Sequence, residues 1–190
     1  MALIGETVRL RELTEEDLAL LVRLRNDLDT QAWSRTLPPD YTIDMIRQRY
    51  MGRSFEYRRD SAMFIIELVE SGQAVGFMNY SELVDRFEAT IGIMVDRPWW
   101  GTGVAHEANE LLLRFLFEEL GLRVVRLWTQ SENERAVGSA RRLGFQVAVR
   151  VPGAIFKAGA LRDNVMMDLL REEWYGLHPE LTDGLEDPFR

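Results

Sequence analysis

The sequence predicts an α/β or α+β domain built around one mixed sheet. Three observations predict it. Strand-like runs and amphipathic helical stretches interleave along the chain. At 190 residues, 46% hydrophobic and 28% charged, the chain suits one domain with a full-sized core. A turn with two glycines, Gly101-Thr102-Gly103, joins a strand-like run directly to a long amphipathic helix.

The elements follow in order. Residues 7–13 alternate as a strand does. Thr14 suits a helix N-cap, with acids at 15, 16 and 17 in the first turn and Leu13 and Leu18 placed for a hydrophobic staple. That helix runs through about Asp27. Residues 28–41 read as a loop containing Pro38-Pro39, and a second helix spans Ile43 to about Tyr57. Residues 62–69 form a buried strand by their apolar, β-branched content. Glu70-Ser71-Gly72-Gln73 turns the chain into a hairpin partner at 74–80. Residues 88–95 are a further strand, broken by Asp96-Arg97-Pro98.

From Val104 to Leu120 the apolar residues at 104, 108, 111, 112, 115 and 116 make one helical stripe, and Gly121 supplies the stop. Residues 124–129 are a strand. Ser131-Glu132-Asn133-Glu134 fits a capping box, opening a helix that stops at Gly144. Residues 145–151 and 165–170 read as the last two strands. Residues 1–175 thus form one domain, and 176–190 an acidic, turn-rich peripheral tail.

Composition narrows the chemistry. With no cysteine, disulfides, thiolate metal sites and a cysteine nucleophile are excluded. Two histidines are too few for most histidine-rich sites, so no metal is expected. A net charge of -8 argues against nucleic acid and favours a cationic small molecule or peptide, although acidity also serves solubility. No apolar run reaches the roughly 18–20 residues of a membrane span, so no membrane partner is expected. Met1-Ala2-Leu3-Ile4-Gly5 lacks the pattern of a secretory signal, which makes a cytoplasmic location the expectation.

The glycine turn is the strongest functional signal. A helix N-terminus leaves amide N–H groups without intrahelical partners, and the macrodipole adds positive partial charge. Anions bind there without a lysine. Gly101 and Gly103 permit φ > 0 and close backbone approach, Thr102 offers a hydroxyl donor, and Val104 and Ala105 open the helix. Rival motifs fail. Position 106 is His, so G-x-G-x-x-G is incomplete, and no Gly-Lys-Ser/Thr follows for a P-loop.

The run Trp100-Gly101-Thr102-Gly103-Val104-Ala105-His106-Glu107-Ala108, after a strand ending at Asp96, resembles motif A of the GNAT superfamily of N-acyltransferases. Its form is most similar to the RimJ/RimL-like branch. Three further segments resemble the family in order: residues 8–13 with Glu16-Asp17, Asn133 followed by Arg142-Leu143-Gly144-Phe145, and Asp163-Asn164-Val165-Met166 leading to Leu170-Arg171-Glu172-Glu173-Trp174. The resemblance spans roughly residues 6–175. It implies a mostly antiparallel central sheet with helices on both faces.

The resemblance also implies acetyl-CoA as co-substrate. Its pyrophosphate would lie on the backbone of Gly101 to Ala105. Its pantetheine arm would pair like a strand with Ile93, Met94 and Val95. One amide, at Met94 or Val95, would polarise the thioester carbonyl, and Asn133 would bond the pantetheine arm or serve as a local helix cap. An amine would then attack the thioester directly. Candidate acceptors are a protein N-terminus, a polyamine, an amino acid or an amine-bearing antibiotic.

The catalytic residues depart from the family pattern. Glu88 is the candidate base, though many relatives carry the glutamate nearer the glycine, where this chain has Thr90. A hairpin acid is the plain alternative. Ala140 stands where relatives carry a tyrosine acid and Ala136 where the RimJ/RimL-like branch has a serine next to the cofactor, leaving the neighbouring Ser139 as candidate donor. Glu107 reads as structural and His106 as a helix-surface residue. Trp33, with Asn79 and Tyr80, is the candidate acceptor pocket, and Trp99 and Trp100 pack near the cofactor loop. A non-catalytic acyl-CoA-binding domain is the alternative to an enzyme, and nothing fixes acyl length. Dimers are common in similar proteins, which makes a homodimer a candidate assembly.

Overall fold

The computed structural model describes residues 2–33, 40–51 and 60–182. Eight strands form one sheet: β1 (Leu3–Ile4), β2 (Val8–Arg11), β3 (Ala62–Leu68), β4 (Ala74–Val84), β5 (Glu88–Val95), β6 (Val124–Gln130), β7 (Gln146–Lys157) and β8 (Ala160–Leu170). Their order is β1-β2-β3-β4-β5-β6-β8-β7. Every neighbouring pair is antiparallel except β5–β6. The helices are α1 (Leu18–Asn26), α2 (Ile43–Tyr50), α3 (Val104–Arg114), α4 (Glu134–Arg142) and α5 (Arg171–Leu177).

The pleat divides the core into two layers. Phe64 and Ile66 of β3 face the larger cluster, where Val104, Ala108 and Leu112 of α3 pack. Ile65 between them points the other way, to Leu21 and Leu24 of α1 and Ile46 of α2. Alternation along one strand therefore supplies both layers. The start of α1 is fastened by charge. The Asp17 carboxylate, almost fully buried, accepts from the Thr14 amide at 2.8 Å and from both terminal nitrogens of Arg11 at 2.7 and 2.8 Å. Arg11 also meets the buried Glu67, which Arg9 bonds at 2.6 Å. Burial alone would raise both carboxyls. The arginines, with Thr14 at Asp17, outweigh it and hold them below the ordinary range.

Several boundaries differ from the sequence reading. The long helix is α-helical only to Arg114 and widens into a π turn over Phe115–Glu119, before Gly121 at φ 64 ends it. The capping residue of α4 is Asn133, not Ser131: its side chain accepts from the Ala136 amide. The last two strands are longer than predicted. Pro152-Gly153 looks like a break, but the register shifts between Val151 and Ile155, and β7 continues through the irregularity to Lys157. β1 was not foreseen. Nor was α5, whose buried Trp174 stacks on Phe117 at 5.8 Å. Residues 176–182 finish α5 and a short turn, with Leu181 packed on the core. The predicted extension of α2 beyond 51, the Pro38-Pro39 part of the loop and the tail from 183 lie outside the described residues.

Candidate acyl-donor site

The site begins where two neighbouring strands part. β5 and β6 pair only from Glu88↔Val124 to Thr90↔Arg126. Beyond that point β5 stays paired with β4 as far as Val95↔Gly76, and β6 with β8 as far as Gln130↔Asn164. Each strand thus keeps one partner and presents one open edge to a wedge between them. A cleft of about 700 Å³ occupies this wedge.

Pleat parity shows which main-chain groups face the wedge. The Asp96 amide donates to Val75 of β4, while the carbonyl of Phe87 receives the Arg123 and Val124 amides on the β6 side. Odd-numbered groups of β5 therefore turn to the wedge and even-numbered ones to β4. The free edge is made by Ile93 and by the Val95 amide. Met94 is corrected on this point: its amide belongs to the β4–β5 ladder. The Val95 carbonyl is already taken, accepting from the Trp100 indole at 2.7 Å.

The glycine turn closes the open end of the wedge. Gly101 and Gly103 have φ of 77 and 94, and Gly103 is the N-cap of α3. A Cβ added at either would meet nothing within 4 Å. Space is open there, and the glycines are required by backbone conformation. Among the described residues, no amide from Gly101 to Ala105 finds a backbone acceptor, whereas His106 and Glu107 both donate to the Gly103 carbonyl. Five successive amides at a helix N-terminus make a nest for an anion. Thr102 does not add to it as expected: its hydroxyl donates to the Trp99 carbonyl at 2.8 Å and braces the turn.

The other wall is α4. Ala136, Ser139, Ala140 and Leu143 line the cleft, with Asn133 at its base. Asn133 is buried and serves as the helix cap. Its Oδ1 accepts from the Ala136 amide at 3.3 Å, and its Nδ2 donates to the Thr129 hydroxyl at 3.0 Å. One amide hydrogen remains for the cleft. Ser139 is half-buried in this wall.

Three sequence candidates are not brought to the cleft. Glu88 stands at the closed end of β5, ion-paired with Arg126, and at about 3.3 Å per residue it is roughly 20 Å from Val95. The open end, not the start of the strand, is where the reaction would occur. Tyr80 pairs with Ile91 on the α3 face, its ring 6.4 Å from Phe64 and 6.5 Å from Phe115. It is a core residue. Asn79, one residue earlier, faces the other layer opposite Gly92. Only Trp33 of the predicted acceptor pocket lines the cleft, beside Thr30. Parity separates adjacent strand residues, so Asn79 and Tyr80 were never able to share a pocket.

The structure also adds residues. His106 lines the cleft and sits 3.4 Å from Glu110. Arg135 and Arg142 line the α4 side, spaced seven apart on one helix face, a pattern legible in the sequence once α4 is placed. Glu107, read as structural, accepts from the Thr7 amide at 2.9 Å and ties α3 to the start of β2. Among the described residues lining the cleft there is no Asp or Glu.

The acetyltransferase (GNAT) domain family matches residues 7–146. The chain belongs to this family. Its members are N-acetyltransferases, and the fold agrees with the expected mostly antiparallel sheet flanked by helices. Spermidine N(1)-acetyltransferase of Escherichia coli (strain K12) is 25% identical over 178 residues, covering 92% of this chain and 91% of that protein. The crystal structure of spermidine N-acetyltransferase from Vibrio cholerae, in complex with CoA and spermine, superposes with a TM-score of 0.80 at 21% identity, covering 90% and 99%. RimL, a ribosomal L7/L12 α-N-protein acetyltransferase in complex with coenzyme A, gives 0.78 at 17% identity, covering 90% and 98%. These two structures support the fold. The RimJ/RimL branch is not singled out by them.

Proposed function

We propose that this enzyme transfers an acetyl group from acetyl-CoA to a primary amine by direct attack of the amine on the thioester. The five unpartnered amides of the glycine turn, set at the mouth of the wedge, carry this reading. A pyrophosphate matches the nest. An extended pantetheine arm matches the open edge at Ile93 and Val95, as an added strand would. The Val95 or Ile93 amide then stands as the single donor to the thioester oxygen in the transition state. Holding the two reactants in line supplies most of what this chemistry needs.

The acceptor enters from the Thr30–Trp33 side. A polyamine is the acceptor class we favour over a protein N-terminus. The net charge of -8 attracts a polycation at long range, and a relative matched over nine-tenths of both chains is named for spermidine. With no carboxylate among the described residues of the cleft wall, the ammonium proton leaves through water. Ser139 is the hydroxyl placed to protonate the departing thiolate.

Thiol release from acetyl-CoA, measured against spermidine, spermine and an N-terminal peptide with a buffer control, tests the proposal. Release stimulated by the polyamines is the expected result. Stimulation by the peptide alone would return the chain to the RimJ/RimL-like branch. Stabilisation by acetyl-CoA without release for any amine would favour a binding domain.

A further inference from the structure

Arg135 stands in the first turn of α4, with its guanidinium carbon 3.5 Å from the centroid of the Trp100 ring. Trp100 directly precedes the glycine turn, and its indole N–H is anchored on Val95. The platform beneath the arginine is therefore fixed to β5. Both residues line the cleft. Stacking occupies a face of the guanidinium and leaves its in-plane N–H donors available.

Among the described residues this cation has no carboxylate partner, and it is solvent-exposed, so an incoming anion can reach it. The turn it overlooks brings no cation, because residues 98–105 carry no Lys or Arg. The amide nest thus lacks a full positive charge of its own, and Arg135 is placed to provide one.

We infer that Arg135, held flat on Trp100, binds a phosphate of the acyl donor and makes the enzyme select phosphate-bearing thioesters. The inference rests on the acetyl-CoA reading and adds to it a side chain outside the glycine turn. The guanidinium edge would take two phosphate oxygens as a fork, a geometry that lysine does not reproduce. The phosphate is either the pyrophosphate or the ribose 3′-phosphate, and the donor series below separates them.

The test compares wild type, Arg135→Ala and Arg135→Lys by calorimetric titration with CoA and dephospho-CoA, and by turnover of acetyl-pantetheine, which has no phosphate. Arg135→Ala should weaken CoA by about 10- to 100-fold, as loss of a charge-assisted hydrogen-bonded pair does. Its kcat/KM for acetyl-pantetheine should match wild type, and Arg135→Lys should fall between. A deficit that persists with dephospho-CoA assigns the pyrophosphate, and one that vanishes assigns the 3′-phosphate. Unchanged CoA affinity in Arg135→Ala would overturn the inference while leaving the donor reading intact. Equal losses on CoA and acetyl-pantetheine would overturn it too, since they would mark a role in folding. Failure of wild type to bind CoA would instead sink the donor reading beneath it.

Discussion

The two halves of the cleft are built from different materials. The donor half is main chain: five amides of the glycine turn and the open edge of β5. The acceptor half is side chain. Its loop after α1 is held by Arg97 on Asp29 and by Lys157 on the Gln31 carbonyl. The buried Gln31 amide in turn bonds the Leu24 carbonyl at 3.0 Å and approaches the Met94 sulfur at 3.4 Å. A main-chain site needs only a backbone path, so two glycines and a following helix are enough to specify it. A side-chain site needs particular residues from distant segments. The first tolerates change in the sequence around it, whereas the second depends on each of those side chains.

This contrast can be broken at its strong end first. Gly103→Trp fills the open space of the nest, and acetyl-CoA binding should fall by more than about 100-fold, the scale of two or more hydrogen bonds to a charged group. The left-handed backbone adds roughly 1–2 kcal/mol of strain, so the melting temperature should drop by only a few degrees. Retained affinity in a titration would show that the donor does not rest on the turn.

The proton route gives the next largest effect. No carboxylate among the described residues lines the cleft, so on this proposal the reactive amine loses its proton to water, and a free lysine-type amine has a pKa near 10. The kcat/KM should therefore rise about tenfold per pH unit between about pH 7 and 9. A plateau near neutrality would reveal an enzyme base. The same profile for Glu88→Gln should be unaltered, and loss of a limb in that variant would restore Glu88 to catalysis.

The acceptor half should respond differently from the donor half. Lys157→Met releases the loop that holds Trp33, so KM for the amine should increase roughly tenfold, an effect of about 1.4 kcal/mol. Acetyl-CoA affinity should stay within about twofold. Equal effects on both substrates would mean the halves are one unit.

Acid stability concerns the frame that both halves share. Asp17 and Glu67 have folded-state pKa values below their ordinary values of 3.8 and 4.5. A carboxyl depressed by folding contributes stability that is complete above its unfolded pKa and is lost as pH falls through the folded one. Melting temperature should thus hold above about pH 5 and decline below about pH 4. Removing the shared partner, Arg11→Ala, should cost about 3 kcal/mol at neutral pH and flatten that acid limb. An acid limb of unchanged depth would place the acid-sensitive groups elsewhere.

Legibility followed the same division. The strands that line the cleft and the left-handed glycines before α3 are readable, because period-two alternation and glycine placement act locally. The parting of β5 from β6 is not, since register between strands distant in sequence leaves no local mark. The candidates that failed did so for geometric reasons. Glu88 enters the strand that leads to the turn, yet a strand of eight residues puts its two ends far apart. Tyr80 and Asn79 are adjacent in sequence, and the pleat sends them to opposite faces. Asn133 caps α4, as its plain reading expects, and also lines the cleft. Arg135 leaves no local mark, because its partner, Trp100, is thirty-five positions away in sequence.

The central claim is that main-chain amides hold the donor. Amide-resolved hydrogen exchange, with and without saturating CoA, tests it most directly. The account predicts new protection at Gly101 to Ala105 and at Ile93 and Val95, with no change at Glu88 or along α1. Protection concentrated elsewhere, or CoA binding that leaves residues 101–105 exchanging as before, would contradict it.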